Sequence, residues 1–334
     1  MKELIKRLIK RLINFTLDAY FEKLAIISAN ASDDLQKDEV LKEYHKIREL
    51  VEFQNILKPV LLSKHMERLK QIKGLFADQK SYNIVENLMI FDGYENNIIR
   101  YLLVDEINEV CNVDCEPDLF KLHDFVVRRY DDPEHYYPAD LIKLGEHEVF
   151  LDGGAYVGDT IDQFLNKIGN KFEAIYAFEP SVYNYNALLQ HIENYPRRGS
   201  IKVLNCGLST NDTTIYYPKD QLSGDYTKPE NITDFSKFEA TELKNINTVL
   251  TPEEINSITF IKLDVEGAEM ETLQSMKELI KNNLPKMAIS VYHKPNDMVD
   301  IPVYIRSLTD GYNLYLRHHS NWRWETVLYC VKKT

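Results

Sequence analysis

A chain of 334 residues, 44% of them apolar, is long enough for two ordinary domains with a core in each. Its net charge of −12 argues against a nucleic-acid backbone as the main partner, because phosphate binding needs a basic surface. No apolar run reaches the length that spans a bilayer, the start lacks a small-residue cleavage site, and Cys111, Cys115, Cys206 and Cys330 fall in no zinc-ligand spacing, so a cytoplasmic protein with reduced thiols is expected.

Residues 2 to 27 repeat apolar positions at Leu4, Ile5, Leu8, Ile9, Leu12 and Ile13 with lysines and arginines between them, which predicts a basic amphipathic helix. Such a helix can lie on an anionic membrane surface, but packing its stripe on its own protein is the commoner fate, and membrane contact is not the expectation. Helical, charged patterns continue over 34 to 75 and 80 to 111, interrupted by Pro59 and by the Asp92-Gly93 turn. Together they predict a helical N-terminal domain over 1–130, serving assembly or recognition, with homo-oligomerisation as one use. The polar, aromatic stretch Asp131 to Pro138 marks a linker or a lid over a cofactor site, and a second domain is expected over 131–334.

Beyond that point short apolar strands alternate with amphipathic helices, the rhythm of a parallel sheet with its ligand at the strands' carboxyl ends. The first strand, Val149 to Leu151, breaks at Asp152, Gly153 and Gly154 and re-enters a helix through Tyr156, Gly158, Asp159 and Thr160. This is a nucleotide-cofactor loop without the three-glycine pattern that holds a pyrophosphate. Its two carboxylates favour a cationic or zwitterionic ligand such as S-adenosylmethionine. Glu179 follows about twenty residues on, where such a unit presents an acid to ribose hydroxyls, and Pro180 and Ser181 open the next helix. Asn205, Cys206 and Gly207 end the third strand and either line an adenine slot or form an ordinary turn. Thr213 to Tyr217 read as an extra strand, and 218 to 240 as an irregular insertion in which Tyr216, Tyr217 and Tyr226 either stack on a sugar face or sit singly on the surface. Thr251-Pro252-Glu253-Glu254 is a capping box. Phe260 to Leu263 form the strand that ends in Asp264, a helix is expected from Gly267 to Leu279, and Met287 to Tyr292 form a strand that ends at His293. Tyr312 to Leu316 and Trp324 to Val331 complete the set, the last able to pair antiparallel.

Asp152-Gly153-Gly154-Ala155, Phe178-Glu179-Pro180 and Ile261-Lys262-Leu263-Asp264-Val265-Glu266-Gly267-Ala268-Glu269 together resemble the FkbM family of S-adenosylmethionine-dependent methyltransferases, over roughly residues 136 to 332. The resemblance implies an α/β fold with a Rossmann-like seven-stranded methyltransferase sheet, mostly parallel with the last strand antiparallel. It also implies methyl transfer to a hydroxyl of a sugar, glycan or related natural product. In such a fold Asp264, Glu266, Glu269, His293 and Asp297 converge beside the methyl donor. His293 is then the expected base and Asp264 orients the acceptor or holds the cofactor's methionine end. A divalent cation held by Asp264 and neighbouring carboxylates is the alternative, and no metal is predicted. The competing function is a non-catalytic protein that binds a nucleotide-like ligand or a partner.

Overall fold

The computed structural model describes residues 66–92, 135–169, 171–219, 232–294, 296–319 and 325–333. The chain divides into two compact units, one of 1–70 with 86–125 and the other of 71–85 with 126–334. The basic helix expected over 2 to 27, the Cys111–Cys115 pair and Tyr226 lie outside the described residues. The second unit takes in a segment, 71–85, from well upstream of residue 131.

In chain order the described elements that matter here begin with helix α1 (Gln79–Asp92), strand β1 (Glu148–Gly153), α2 (Asp159–Ile168), β2 (Phe172–Phe178), α3 (Val182–His191), β3 (Ile201–Leu204), β4 (Cys206–Leu208), β5 (Thr213–Pro218) and β6 (Phe238–Lys244). They continue with α4 (Pro252–Ser257), β7 (Phe260–Leu263), α5 (Glu269–Ser275), α6 (Lys277–Asn283), β8 (Lys286–Ser290), α7 (Asp297–Leu308), β9 (Tyr312–His318) and β10 (Thr326–Lys332). The main sheet has the order β3-β2-β1-β7-β8-β10-β9. Its first five strands pair in parallel, and β10 runs antiparallel to both neighbours. This is the expected seven-stranded architecture. Successive strands step outward from β1 to β3, then the chain returns to the other side of β1 as β7. The order reverses between β1 and β7, so their carboxyl ends open on a crevice, the place where doubly wound sheets bind ligands.

All six residues of β1 and all four of β7 are buried, because helices cover both faces of a parallel sheet. Phe150 on β1 stacks on Phe260 of β7 at 5.2 Å and on Phe164 of α2 at 4.7 Å, and Tyr137 closes the same cluster. Truncating one such ring to alanine typically costs about 3–5 kcal/mol.

Two expectations about local structure need correction. Residues 238–240, read as the end of an irregular insertion, begin β6 (Phe238–Lys244) of a second, three-stranded sheet ordered β4-β6-β5. Its alternating charges point mostly outward and only Thr241 is buried, so the strand carries no apolar period to read. The helix expected from Gly267 to Leu279 starts at Glu269 and breaks at Met276, after which α6 begins. The capping box at Thr251 is present in full, with Glu254 closing it.

Candidate active site

The glycine turn after β1 is shaped by its own chain. Gly154 has φ +77°, and a Cβ there would lie 1.9 Å from the Asp264 carbonyl oxygen, so the close passage of β7, not ligand clearance, demands glycine. Lys262 sits directly across from Asp152 in the β1–β7 register. Its ammonium lies 3.2 Å from Asp152 and donates to the Gly154 carbonyl at 2.7 Å. Burial works against that charge, but Asp152 and Asp264 beside it hold Lys262 protonated. Asp152 also accepts the Thr160 hydroxyl, which ties the turn to the start of α2.

Glu179 ends the neighbouring strand β2. It accepts the Ser181 and Tyr156 backbone N–H groups, each at 2.9 Å, and the Asn184 amide at 3.4 Å. Burial pushes its carboxyl up to about 7, against the pull of those donors.

A cavity of about 410 Å³ opens at these strand ends. Of the expected ligand-binding residues, Gly153, Gly154, Tyr156, Asp159, Thr160, Glu179, Pro180, Gly207 and Asp264 line it. The remainder stand behind the wall. Asp152 is fully buried on Lys262 and Thr160. Gly158 caps α2 and packs on Leu188 and His191 of α3. The Ser181 hydroxyl caps α3. Asn205 donates to the Glu179 and Pro180 carbonyls, and Cys206 is buried at the start of β4. These five support the lining residues instead of touching the cavity. The second sheet adds an apolar side the sequence reading only touched at Tyr217: Ile215, Tyr217 and Leu243. Tyr216 instead packs edge-on against Phe235.

At the other end Asp264 accepts the Tyr136 hydroxyl at 2.7 Å and the Tyr292 hydroxyl at 3.1 Å. Burial would raise its pKa, but Lys262, His293 and the Tyr136 hydroxyl outweigh this and hold it below the usual carboxylate range. His293 does not line the cavity. Its Nδ1 is 2.8 Å from Glu269, and its Nε2 is 3.2 Å from Glu266 and 3.5 Å from Asp264. Burial disfavours the charged ring, but the three carboxylates prevail and raise it to about 10. An imidazolium has no lone pair to offer, so the expectation of His293 as the base is corrected: carboxylates close on both nitrogens overturn its intrinsic pKa.

A different histidine faces the cavity. His135 lines it and stacks on Tyr136 with ring centroids 4.4 Å apart. Burial, with Lys262 adding to it, lowers His135 to about 4 despite Asp264, so the ring is neutral at neutral pH. Its buried Nε2 has no hydrogen-bond partner. The aromatic, proline-bracketed stretch that reads as a linker or lid thus supplies cavity wall, through His135 and Tyr136. Lys262 had a legible signal as well, a lone charge inside the apolar run Phe260 to Leu263.

The sheet order and the antiparallel final strand define a Rossmann-like methyltransferase fold, with its cavity at the switch point. Residues 152–314 match the methyltransferase FkbM domain. The likeness to the FkbM methyltransferases is carried by that segment, just under half of the chain. A curated relative, Methyltransferase sdnD of Sordaria araneosa, is 27% identical over 175 residues, covering 43% of this chain and 66% of its own length. The crystal structure of a methyltransferase FkbM from Methylobacillus flagellatus KT shares the fold, with a TM-score of 0.57 at 23% identity, over 80% of this chain and 59% of that one. The chain therefore spans 66% and 59% of the length of these two relatives, less than two thirds of each. Among the described residues no helix is long and apolar enough to cross a membrane.

Proposed function

We infer that the protein transfers a methyl group from S-adenosylmethionine to a hydroxyl oxygen of a small-molecule or glycan acceptor. The observation that carries this reading is the carboxylate-lined cavity at the ends of β1 and β7. Its residues fit the cofactor. Glu179, its oxygens oriented by backbone N–H groups, can accept ribose hydroxyls, and Asp159 and Asp264 face a ligand bearing ammonium and sulfonium charges. A pyrophosphate would be repelled there. About 410 Å³ lies within the usual size of ligand sites.

S-adenosylmethionine supplies an electrophilic methyl carbon on a positively charged sulfur. Tyr136 and Tyr292 hold Asp264 in one orientation, so that its carboxylate can align the acceptor hydroxyl for in-line displacement. His135, neutral and with Nε2 unpartnered, would be the group to receive the proton of the acceptor hydroxyl. Ile215, Tyr217 and Leu243 exclude water from one side. Calorimetry with S-adenosylhomocysteine and with NAD tests the assignment: micromolar binding of the first and none of the second is expected. NAD binding without S-adenosylhomocysteine binding would sink it.

A further inference from the structure

The acceptor end of the cavity holds more negative charge than its neighbours offset. Asp264, Glu266 and Glu269 come from the end of β7 and the turn into α5, and His293 follows β8. Asp297, at the start of α7, adds a further buried carboxyl nearby, accepting the Lys294 N–H. Lys262, the buried lysine of β7, is already paired with Asp152. Against these acids stand the His293 ring, Lys294 beside Asp297 and a share of Lys262.

The donors also have ligand spacing. Asp264, Glu269 and His293 each bring a ligand atom within 4.8 Å of the others. His293 Nε2 faces Asp264 at 3.5 Å and Glu266 at 3.2 Å. An ion about 2.1 Å from each of two ligands holds them about 3.0 Å apart when they are at right angles and about 4.2 Å apart when opposite. Glu269 meanwhile grips Nδ1 at 2.8 Å, as a carboxylate does when it orients a metal-ligating histidine from behind. A second observation points the same way. Glu269 is fully buried, with Oε1 on the Val265 N–H and His293 Nδ1, yet its Oε2 has no hydrogen-bond partner.

We propose that Asp264, Glu266 and His293, backed by Glu269, form a site for a divalent transition-metal ion at the acceptor end of the cavity. One imidazole nitrogen with carboxylate oxygens suits manganese, iron or zinc better than calcium. The ion takes the place of the proton on Nε2. Asp264 and Glu266 both line the cavity, so an ion between them has positions open to an acceptor oxygen, whose proton it would acidify. That last role rests on the methyl-transfer reading; the site itself does not.

Manganese chloride is the probe, added to the chelator-treated full chain and followed by calorimetry and electron paramagnetic resonance. One ion per chain is expected. Glu269→Gln should weaken binding by about 10- to 100-fold, and His293→Ala should abolish it. Thermal melts check that each variant folds, and His293→Gln stands in if the alanine variant does not. No manganese bound at millimolar concentration, or wild-type affinity in both variants, overturns the site. S-adenosylhomocysteine titrated into the metal-free protein separates the two claims. Cofactor binding without manganese binding leaves methyl transfer standing and removes the metal, and manganese binding without cofactor binding does the reverse.

Discussion

The two ends of the cavity are built from acids in opposite ways. At the β1–β2 end Glu179 is fixed by backbone N–H groups, and the turn is braced by one buried lysine paired with one buried aspartate. Main chain sets that geometry, and the buried lysine and aspartate are paired. At the β7–β8 end the geometry is set by side chains, two tyrosines and a histidine holding carboxylates that outnumber the nearby cations. A ligand that must be held in one pose suits the first kind of wall. A reacting centre, where charge and protons move, suits the second.

That contrast can be broken by single changes. His135→Gln removes the proposed proton acceptor from the side-chain end, and turnover is expected to fall by about a hundred- to ten-thousandfold. S-adenosylhomocysteine affinity should stay at the wild-type value by calorimetry; a parallel loss of affinity would make His135 a binding residue. Gly154→Ala attacks the main-chain end, forcing a Cβ against the Asp264 carbonyl in a left-handed conformation. A loss of about 3 kcal/mol is expected, read as a drop of roughly 6–12 °C in Tm. A variant as stable as the wild type would show that β7 can move away.

The smallest effect is in pH. Glu179, raised to about 7, must be ionised to accept two ribose hydroxyls. Cofactor affinity should therefore be full above that value and fall as pH drops through it, by up to about tenfold per unit. Glu179→Gln should bind more weakly and flatten the dependence. A wild-type profile that is flat from pH 5.5 to 8 would take the proton off Glu179.

The main-chain end was largely legible in the sequence, because backbone geometry writes itself in glycines and strand ends. Gly153, Gly154, Tyr156, Asp159, Thr160, Glu179 and Asp264 all line the cavity. What sequence could not separate was a residue that touches a ligand from one that holds the residue that does. Asp152 and Asn205 belong to the second kind, and only strand register and hydrogen bonds show it. The side-chain end was misread at His293, since an intrinsic pKa says nothing of three carboxylates after β7 that meet a ring after β8. His135 and β6 escaped for simpler reasons. One follows a run of acids that looks like linker, and the other shows its charges to water.

The segment 71–85 has a consequence for the rim of the sheet. β9 is an outermost strand, and an open strand edge is a template on which other chains can add. Here the Ala77 N–H is bonded to the Leu314 carbonyl, the Ser81 hydroxyl takes the Leu316 N–H, and Asp78 pairs with Arg317 at 2.7 Å. The upstream segment thus acts as a selvedge that keeps the sheet from growing. A fragment cut to begin at residue 131 would lose it and present β9 to its own copies, inviting filaments or precipitate.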